Sequence, residues 1–350
     1  MNGMNRINFL FVFISTLVFS SCTSTLYTDI DLLRPAKVTF YKSANHLLLV
    51  NNTVAQPAGT GHRIELMNDR EKNVSVNTDS LALFCLSASN EEFTNKEFFK
   101  SNELYMNSIN ATGNFLTPSK PNADSLQLLA ARYGSDVIVS LDKIKVYDRI
   151  SDTFLEESGS FYALLEANYE STWTVNYPKL LKYETFVFKD TIFWDSESYQ
   201  RKKALNDLPS RYNALIDGAL FVGHNSVKKF IPYWDKAPRY FYKTNSKFML
   251  QGVDSMYVKN WTAAIALWQK GLYKATKTLR AKLLHNTAVA YEITGDIDKA
   301  LETIEAAIAE YEAAPVISAE YYFLTTTYRE QLKARLKEIA EIKRQLGETD

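Results

Sequence analysis

The chain is poor in the residues that carry most local chemistry. Its 350 residues include two cysteines and four histidines. His46, His62, His224 and His285 stand far apart, and neither a His-Glu-x-x-His stretch nor a paired-cysteine spacing occurs, so no local metal motif is present. Glycine is scarce too, at 12 residues. Gly59-Thr60-Gly61 lacks the following glycine, lysine and hydroxyl of a phosphate loop and reads as a turn, and no Gly-x-Ser-x-Gly elbow appears. Net charge is absent, with Lys+Arg and Asp+Glu both at 40, so no global field draws the protein to nucleic acid or anionic lipid. These absences leave no catalytic residue, metal or cofactor to assign.

What the chain does have is apolar and aromatic surface. Hydrophobic residues make up 46% and charged residues 23%, which is globular and argues against extended disorder. The length accommodates two domains at roughly 100–200 residues each. Tyrosine and phenylalanine, 21 and 20 residues, favour a sheet-containing domain.

The N-terminus carries the most concrete signal. Met1 to Asn8 holds one cation, Arg6, and the largely apolar run Phe9 to Phe19 is eleven residues long. A membrane-spanning helix needs about 20 apolar residues and a signal-peptide core about 7–15, so residues 1–21 read as a cleaved export signal. Phe19-Ser20-Ser21-Cys22 resembles a lipobox, with phenylalanine where leucine is usual, and the resemblance implies acylation of Cys22 as the first mature residue. An ordinary secreted protein with an incidental Cys22 is the alternative. The following Thr-Ser-Thr-Leu-Tyr lacks the acidic run of some surface-exported lipoproteins, which favours the periplasmic face of an outer membrane. Residues 22–36 read as the lipidated cysteine and a tether, whose stretch from Thr23 to Pro35 reaches roughly 45 Å at about 3.3–3.6 Å per residue. Cys85, in Leu81-Ala82-Leu83-Phe84-Cys85-Leu86, then has no internal partner and reads as a buried hydrophobe.

The fold expected is α+β. A mixed domain with a sheet occupies 37–235, and a helical domain occupies 236–350. Val38 to Tyr41 and His46 to Asn52 read as strands, Asp79 as the cap of a helix through Ser87, and Glu91 to about Asn107 as a second helix. Ala123 to Tyr133 reads as a helix stopped by Gly134, followed by a strand over Asp136 to Tyr147. Ser160 to Tyr177 and Tyr183 to Trp194 follow as a hairpin turned at Pro178, and a helix runs from Pro209 to Pro232. The unit Leu128 to Val139 looks like a segment common in periplasmic α/β lipoprotein domains of the curli-export and penicillin-binding-protein-activator types.

From Ala281 the pattern becomes repetitive. Asn286, Ala288, Tyr291, Gly295, Asp296, Ala300, Ile304 and Ala307 resemble a tetratricopeptide repeat in type and spacing. Ala288 and Ala300 are small where helices approach closely, Tyr291 and Ile304 fill the seam, and Gly295-Asp296 turns the chain. Ala264, Trp268, Gly271 and Gly252 form a degenerate copy, and the stripe from Tyr321 to Leu346 reads as a capping helix.

Lipobox, α/β region and helical repeats together resemble a tetratricopeptide-repeat-containing family of bacterial cell-envelope lipoproteins of unknown function. The leading expectation is a non-enzymatic adaptor, anchored to the membrane by lipid, that binds an envelope protein or peptide and no nucleic acid. By analogy with tetratricopeptide grooves, Lys282, His285, Val289, Glu292 and Ile293 face a ligand or are covered by the neighbouring domain. The aromatic stretches Phe230 to Trp234 and Tyr240 to Tyr242 read as a packing interface between the domains. A glycan platform near Tyr233 and Trp234 is the first alternative, and a hydrolase using carboxylates such as Glu156, Glu157, Asp190 and Asp195 is the second.

Overall fold

The computed structural model describes residues 24–110, 113–117 and 121–348. The export signal and Cys22 lie outside the described residues. The chain is α+β, with sheet toward the N-terminus and helices toward the C-terminus. Among the described residues it divides into an α/β unit, 36–232 with 345–347, and a helical unit, 24–35 with 233–344 and 348.

The first strand, β1 (Ser24–Arg34), belongs to the helical unit and corrects the expected tether. It pairs antiparallel along its whole length with a strand 200 residues on, from Ser24 opposite Lys243 to Arg34 opposite Tyr233. The alternation Leu26, Thr28, Ile30, Leu32 against Tyr27, Asp29, Asp31 is the period of a half-buried strand.

In the α/β unit, β2 (His46–Asn51) is an aliphatic run buried on both faces, as a central parallel strand requires. Next come β3 (His62–Glu65), β4 (Lys72–Asn73), α1 (Leu81–Lys96), β5 (Ser101–Tyr105) and α2 (Ala123–Tyr133). Long strands β6 (Val137–Leu155), β7 (Ser160–Tyr177) and β8 (Lys182–Ser198) follow, then α3 (Arg201–Asp207) and α4 (Arg211–Phe230). β2 lies between β5 and β6, parallel to both. The far part of β6 pairs with β3, and its other edge carries the antiparallel β7–β8 hairpin. Leu47 and Leu49 face α1 and α4, whereas Leu48 and Val50 face α2, because successive side chains in a strand point to opposite faces.

Two expectations fail here. The helix expected over Glu91 to Asn107 is the end of α1, stopped by Glu97 at φ 50°, followed by β5. Phe98 and Phe99 turn inward against Phe40 instead of extending a helix. Val38 to Tyr41 forms no strand; Val38 and Phe40 are core side chains on an irregular segment bonded to the Lys229 carbonyl. The helix over Ala123 to Tyr133 does form, with Asn122 accepting from the Asp124 amide and Gly134 at φ 63° closing it. Cys85 is fully buried, and desolvation, with a smaller push from Asp190, raises its thiol pKa.

The helical unit adds β9 (Tyr233–Lys243), α5 (Lys247–Tyr257), α6 (Trp261–Gly271), α7 (Lys277–Ile293), α8 (Ile297–Glu312) and α9 (Ala319–Leu346). α5–α6 and α7–α8 are helical hairpins. Ala288, Ala300, Ile304 and Ala307 are buried at the second one, Tyr291 packs at its margin, and Gly295 turns the chain at φ 87°. Gly252 lies so close to the Trp268 ring that no Cβ fits there. Of the aromatic stretches, Phe230 and Ile231 are core of the α/β unit, while Phe241 and Tyr242 are core of the helical unit.

Candidate functional site

The five positions expected to face a ligand lie along α7, where spacings of three and four residues set side chains on one side of a helix. That side is not open. Lys282, His285, Val289 and Glu292 are buried and Ile293 is half-buried. What covers them is the ribbon strand β9 together with α9.

The contact is specific at the level of the backbone. The Tyr242 amide donates to Asn286 Oδ1 at 2.7 Å, and Asn286 Nδ2 donates to the Tyr242 carbonyl at 2.8 Å. One buried side-chain amide thus satisfies both main-chain groups of an extended residue, which would otherwise be stranded on the outer edge of β9. Three residues back along β9, Arg239 donates through Nε and Nη2 to the two oxygens of Glu292, each at 2.7 Å, and Tyr328 donates to Glu292 Oε2. Burial works against the Arg239 charge, but the Glu292 carboxylate outweighs it and holds the guanidinium pKa up.

Between these two anchors, the His285 ring lies 4.5 Å from Tyr240, 4.9 Å from Tyr242 and 5.3 Å from Tyr328, with Nδ1 3.2 Å from Thr325 Oγ1. The Lys282 ammonium sits 4.1 Å over the Tyr321 ring, and burial lowers its pKa to about 8. Burial lowers His285 to about 3, partly opposed by the Tyr240 backbone. The folded unit therefore holds His285 neutral while the unfolded chain takes a proton below about 6.5. This contribution to stability is complete above pH 6.5 and is lost as pH falls toward 3. His285→Phe is expected to flatten the acid limb of the stability profile, read as a smaller loss of melting temperature between pH 7 and pH 4 than in the wild type.

A second concave place lies in the α/β unit. The chain runs from β2 through α1 to β5, then back through α2 on the opposite face to β6, so the connections diverge from β2. Crevices outside the carboxyl ends of parallel strands at such a point are where open α/β sheets hold ligands. A cleft of about 290 Å³ is found there, between Asn51, Thr53, the start of α1, and Met106 to Ser108. Its polar atoms mostly tie its own walls: Asn51 donates to the Met106 carbonyl and accepts from Thr53, and Ser108 donates to the Thr53 carbonyl. Asp79 is the one ionisable side chain lining it. The arrangement suits a small uncharged polar molecule better than proton transfer.

The remaining candidates disperse. Glu156 and Glu157 sit exposed at the β6–β7 turn, Asp195 is exposed on β8, and Asp190 accepts from Asn225. Gly59-Thr60-Gly61 is a turn, closed by the Thr60 amide on the Pro57 carbonyl. Among the described residues no group of three or more His, Cys, Asp and Glu side chains is placed to hold a metal ion, and no helix is long and apolar enough to cross a membrane. Three polar clusters were not legible beforehand. Asp142 accepts from Asn52, Ser140 and Thr174 at a bulge in β6; Asp148 bonds His62 and Arg211; Asp152 bonds Arg201. The two arginines also reach the Arg63 and Met67 carbonyls, so each clamps a helix start to the β3 side of the sheet. Acidic residues inside an otherwise apolar strand were the only available signal.

No curated protein matches the chain. A solved structure described as the crystal structure of an uncharacterized protein shares 11% identity over 53% of this chain and 92% of that chain, at a TM-score of 0.24, a likeness too slight to carry an argument. Residues 251–334 match a second family, described as Domain of unknown function (DUF6340). Residues 44–242, more than half of the chain, match the family described as Domain of unknown function (DUF8603), and the protein belongs to that family.

Proposed function

We propose that this is a lipid-anchored cell-envelope adaptor, acylated on Cys22, facing the periplasm from the outer membrane, that binds an envelope protein or peptide without catalysing a reaction. The observation that supports it best is the Asn286 clamp on the Tyr242 backbone: the helical hairpins are already complementary to extended chain, and their occupant is the protein's own ribbon. Binding extended chain through main-chain hydrogen bonds is a general mode of peptide recognition. A partner therefore meets the outside of that ribbon rather than the face of α7.

The same ribbon changes what the anchor does. Ser24 already pairs with Lys243, so only Thr23 separates Cys22 from the folded ribbon. At about 3.3–3.6 Å per residue, that leaves roughly 7 Å of chain between acyl group and fold. Two or three acyl chains hold firmly where one is marginal. Cys22→Ala is expected to move the protein from the membrane pellet to the soluble fraction on cell fractionation; undiminished membrane retention contradicts the anchor. In-cell photocrosslinking from several surface positions is expected to give discrete protein adducts, and their complete absence contradicts the adaptor.

A glycan-binding reading retains one supporting feature, the indole of Trp234, which is 66% exposed while Tyr233 is half-buried. Retention on insoluble peptidoglycan that Trp234→Ala abolishes would favour it over the adaptor.

A further inference from the structure

We infer that the α/β unit binds a small, uncharged aromatic molecule bearing one N–H or O–H donor, in the cavity between α2 and the β7–β8 turn. The site is independent of the adaptor reading.

α2 covers one face of the sheet through Leu126, which packs with Leu48, Val50 and Ile138. Ile138 stands opposite Asn176 on β7, and Asn176 opposite Tyr183 on β8, so the three side chains share that face. A cavity of about 240 Å³ lies there, floored by Thr174, Asn176 and Tyr183. Ala123 and Leu126 of α2 form one wall, and Pro178 and Leu181 of the turn form the other.

The floor holds a polar group that the fold does not use. An asparagine is disfavoured within a strand, and burying its amide is costly unless both ends are bonded. Asn176 is 6% exposed, and its Nδ2 donates to the Thr174 carbonyl at 3.2 Å. A carbonyl only accepts, which fixes the orientation of the amide, and among the described residues no donor reaches Oδ1. Asn51 and Asn286 use both ends of their amides to hold separate segments together. Asn176 bonds only two residues back along its own strand and braces nothing. Thr174 differs again, since its hydroxyl donates to Asp142 and meets Thr185. The floor therefore presents an unpartnered acceptor, and a ligand completes it with a donor.

The walls select the body of that ligand. Leu181 has φ 52°, a conformation that glycine or asparagine adopts readily and leucine only at a cost. Its side chain is 70% exposed, so core packing does not offset the strain; what it contributes is a side of the cavity. Strained residues of this kind cluster at ligand clamps. The rings of Pro121, Pro178, Tyr177 and Tyr183 offer flat faces that suit a planar ring. The volume falls below the usual small-molecule range, which starts at about 300 Å³, and restricts the occupant to one or two rings. Lys182 lines the mouth, and burial together with the nearby Glu184 carboxylate raises the Tyr177 pKa. Both signs of charge are thus at hand, and neither selects a charged ligand.

The probe is 5-fluoroindole, titrated into the full chain in detergent and followed by fluorine NMR. The Ala123→Phe chain in the same detergent gives the baseline for partition into micelles. Ala123 is exposed at the start of α2, so a phenyl ring there fills the cavity and leaves the core intact. Saturable binding is expected for the wild type and absent from Ala123→Phe. 5-Fluorobenzofuran has the same shape and no donor, and is expected to bind about tenfold more weakly. Asn176→Leu should remove the difference between the two probes while still binding 5-fluorobenzofuran, which shows that the variant is folded. Leu181→Gly is expected to weaken 5-fluoroindole binding without lowering the melting temperature. Absence of saturable binding, binding that survives Ala123→Phe, or equal affinity of the wild type for both probes overturns the site, as does undiminished binding by Leu181→Gly.

Discussion

Replacing Arg239 with leucine is expected to destabilise the helical unit by about 3–5 kcal/mol, because it leaves the Glu292 carboxylate buried without its partner. The Glu292 side chain has no exposed surface, and Arg239 supplies two of the three hydrogen bonds it receives. Tyr328 alone cannot offset the desolvation of a full charge. The double variant Arg239→Leu with Glu292→Leu is expected to recover most of the loss, since an apolar pair of similar volume replaces a buried ion pair at little cost. Denaturant midpoints of wild type, single and double variants measure both quantities. A single-variant loss under about 1 kcal/mol, the range of an exposed pair, would mean that β9 does not lie against α7 in solution.

The second large effect is expected in the α/β unit, at Gly223. A glycine within a helix ordinarily gains about 1 kcal/mol on replacement by alanine. At Gly223 the sign reverses. A Cβ there falls on the Cys85 carbonyl oxygen, with the Ala88 Cβ 2.8 Å away, so the obstacle is largely backbone and cannot rotate aside. The single Ser89 hydroxyl proton is shared between the Cys85 and Gly223 carbonyls, each 2.9 Å from Oγ, which ties α1 to α4 at that separation. Forcing the helices apart also unseats Leu86 and Val222 from the core they share. Overpacking of this kind costs about 1–3 kcal/mol and sometimes more, and Gly223→Val is expected at the upper end. Gly59, exposed and with nothing near its missing Cβ, is the control: Gly59→Ala should leave the denaturation midpoint within about 0.5 kcal/mol of wild type.

Elements with local signals were legible. Ala123 to Tyr133 has its cap at Asn122 and its stop at Gly134, and the β7–β8 hairpin has Pro178 between two β-branched and aromatic runs. Small residues at 288, 300 and 307 announced a close helical hairpin. Elements decided by distant pairing were not. β5 carries Glu103 and Leu104, which suit a helix as well as a strand, and only pairing with β2 selects the strand. β1 shows clean alternation, but whether such a stretch forms a strand depends on a partner, and that partner lies some 200 residues away.

The site follows the same division. The positions of Lys282, His285, Val289, Glu292 and Ile293 on one side of α7 could be read from spacing, because helical periodicity is local. Their burial could not, because the covering strand is non-local and packs through its backbone, which no side-chain pattern records. Asn286 fits a small polar position of a helical repeat equally well, whether its amide holds a visiting peptide or the chain's own Tyr242. Buried Asp142, Asp148 and Asp152 were unreadable for a related reason: their donors arrive from the residue after β2 and from β3, β7, α3 and α4.

The helical hairpins hold the chain's own ribbon, β1 paired with β9, through the Asn286 clamp on Tyr242. Residue-resolved amide hydrogen exchange over 24–34 and 233–243 tests it most directly. The Tyr242 amide and the β1 amides that point to β9 are expected to exchange only with unfolding of the helical unit, while the alternate β1 amides exchange far faster. Uniformly fast exchange across 24–34, as in an unpaired tether, would contradict the account.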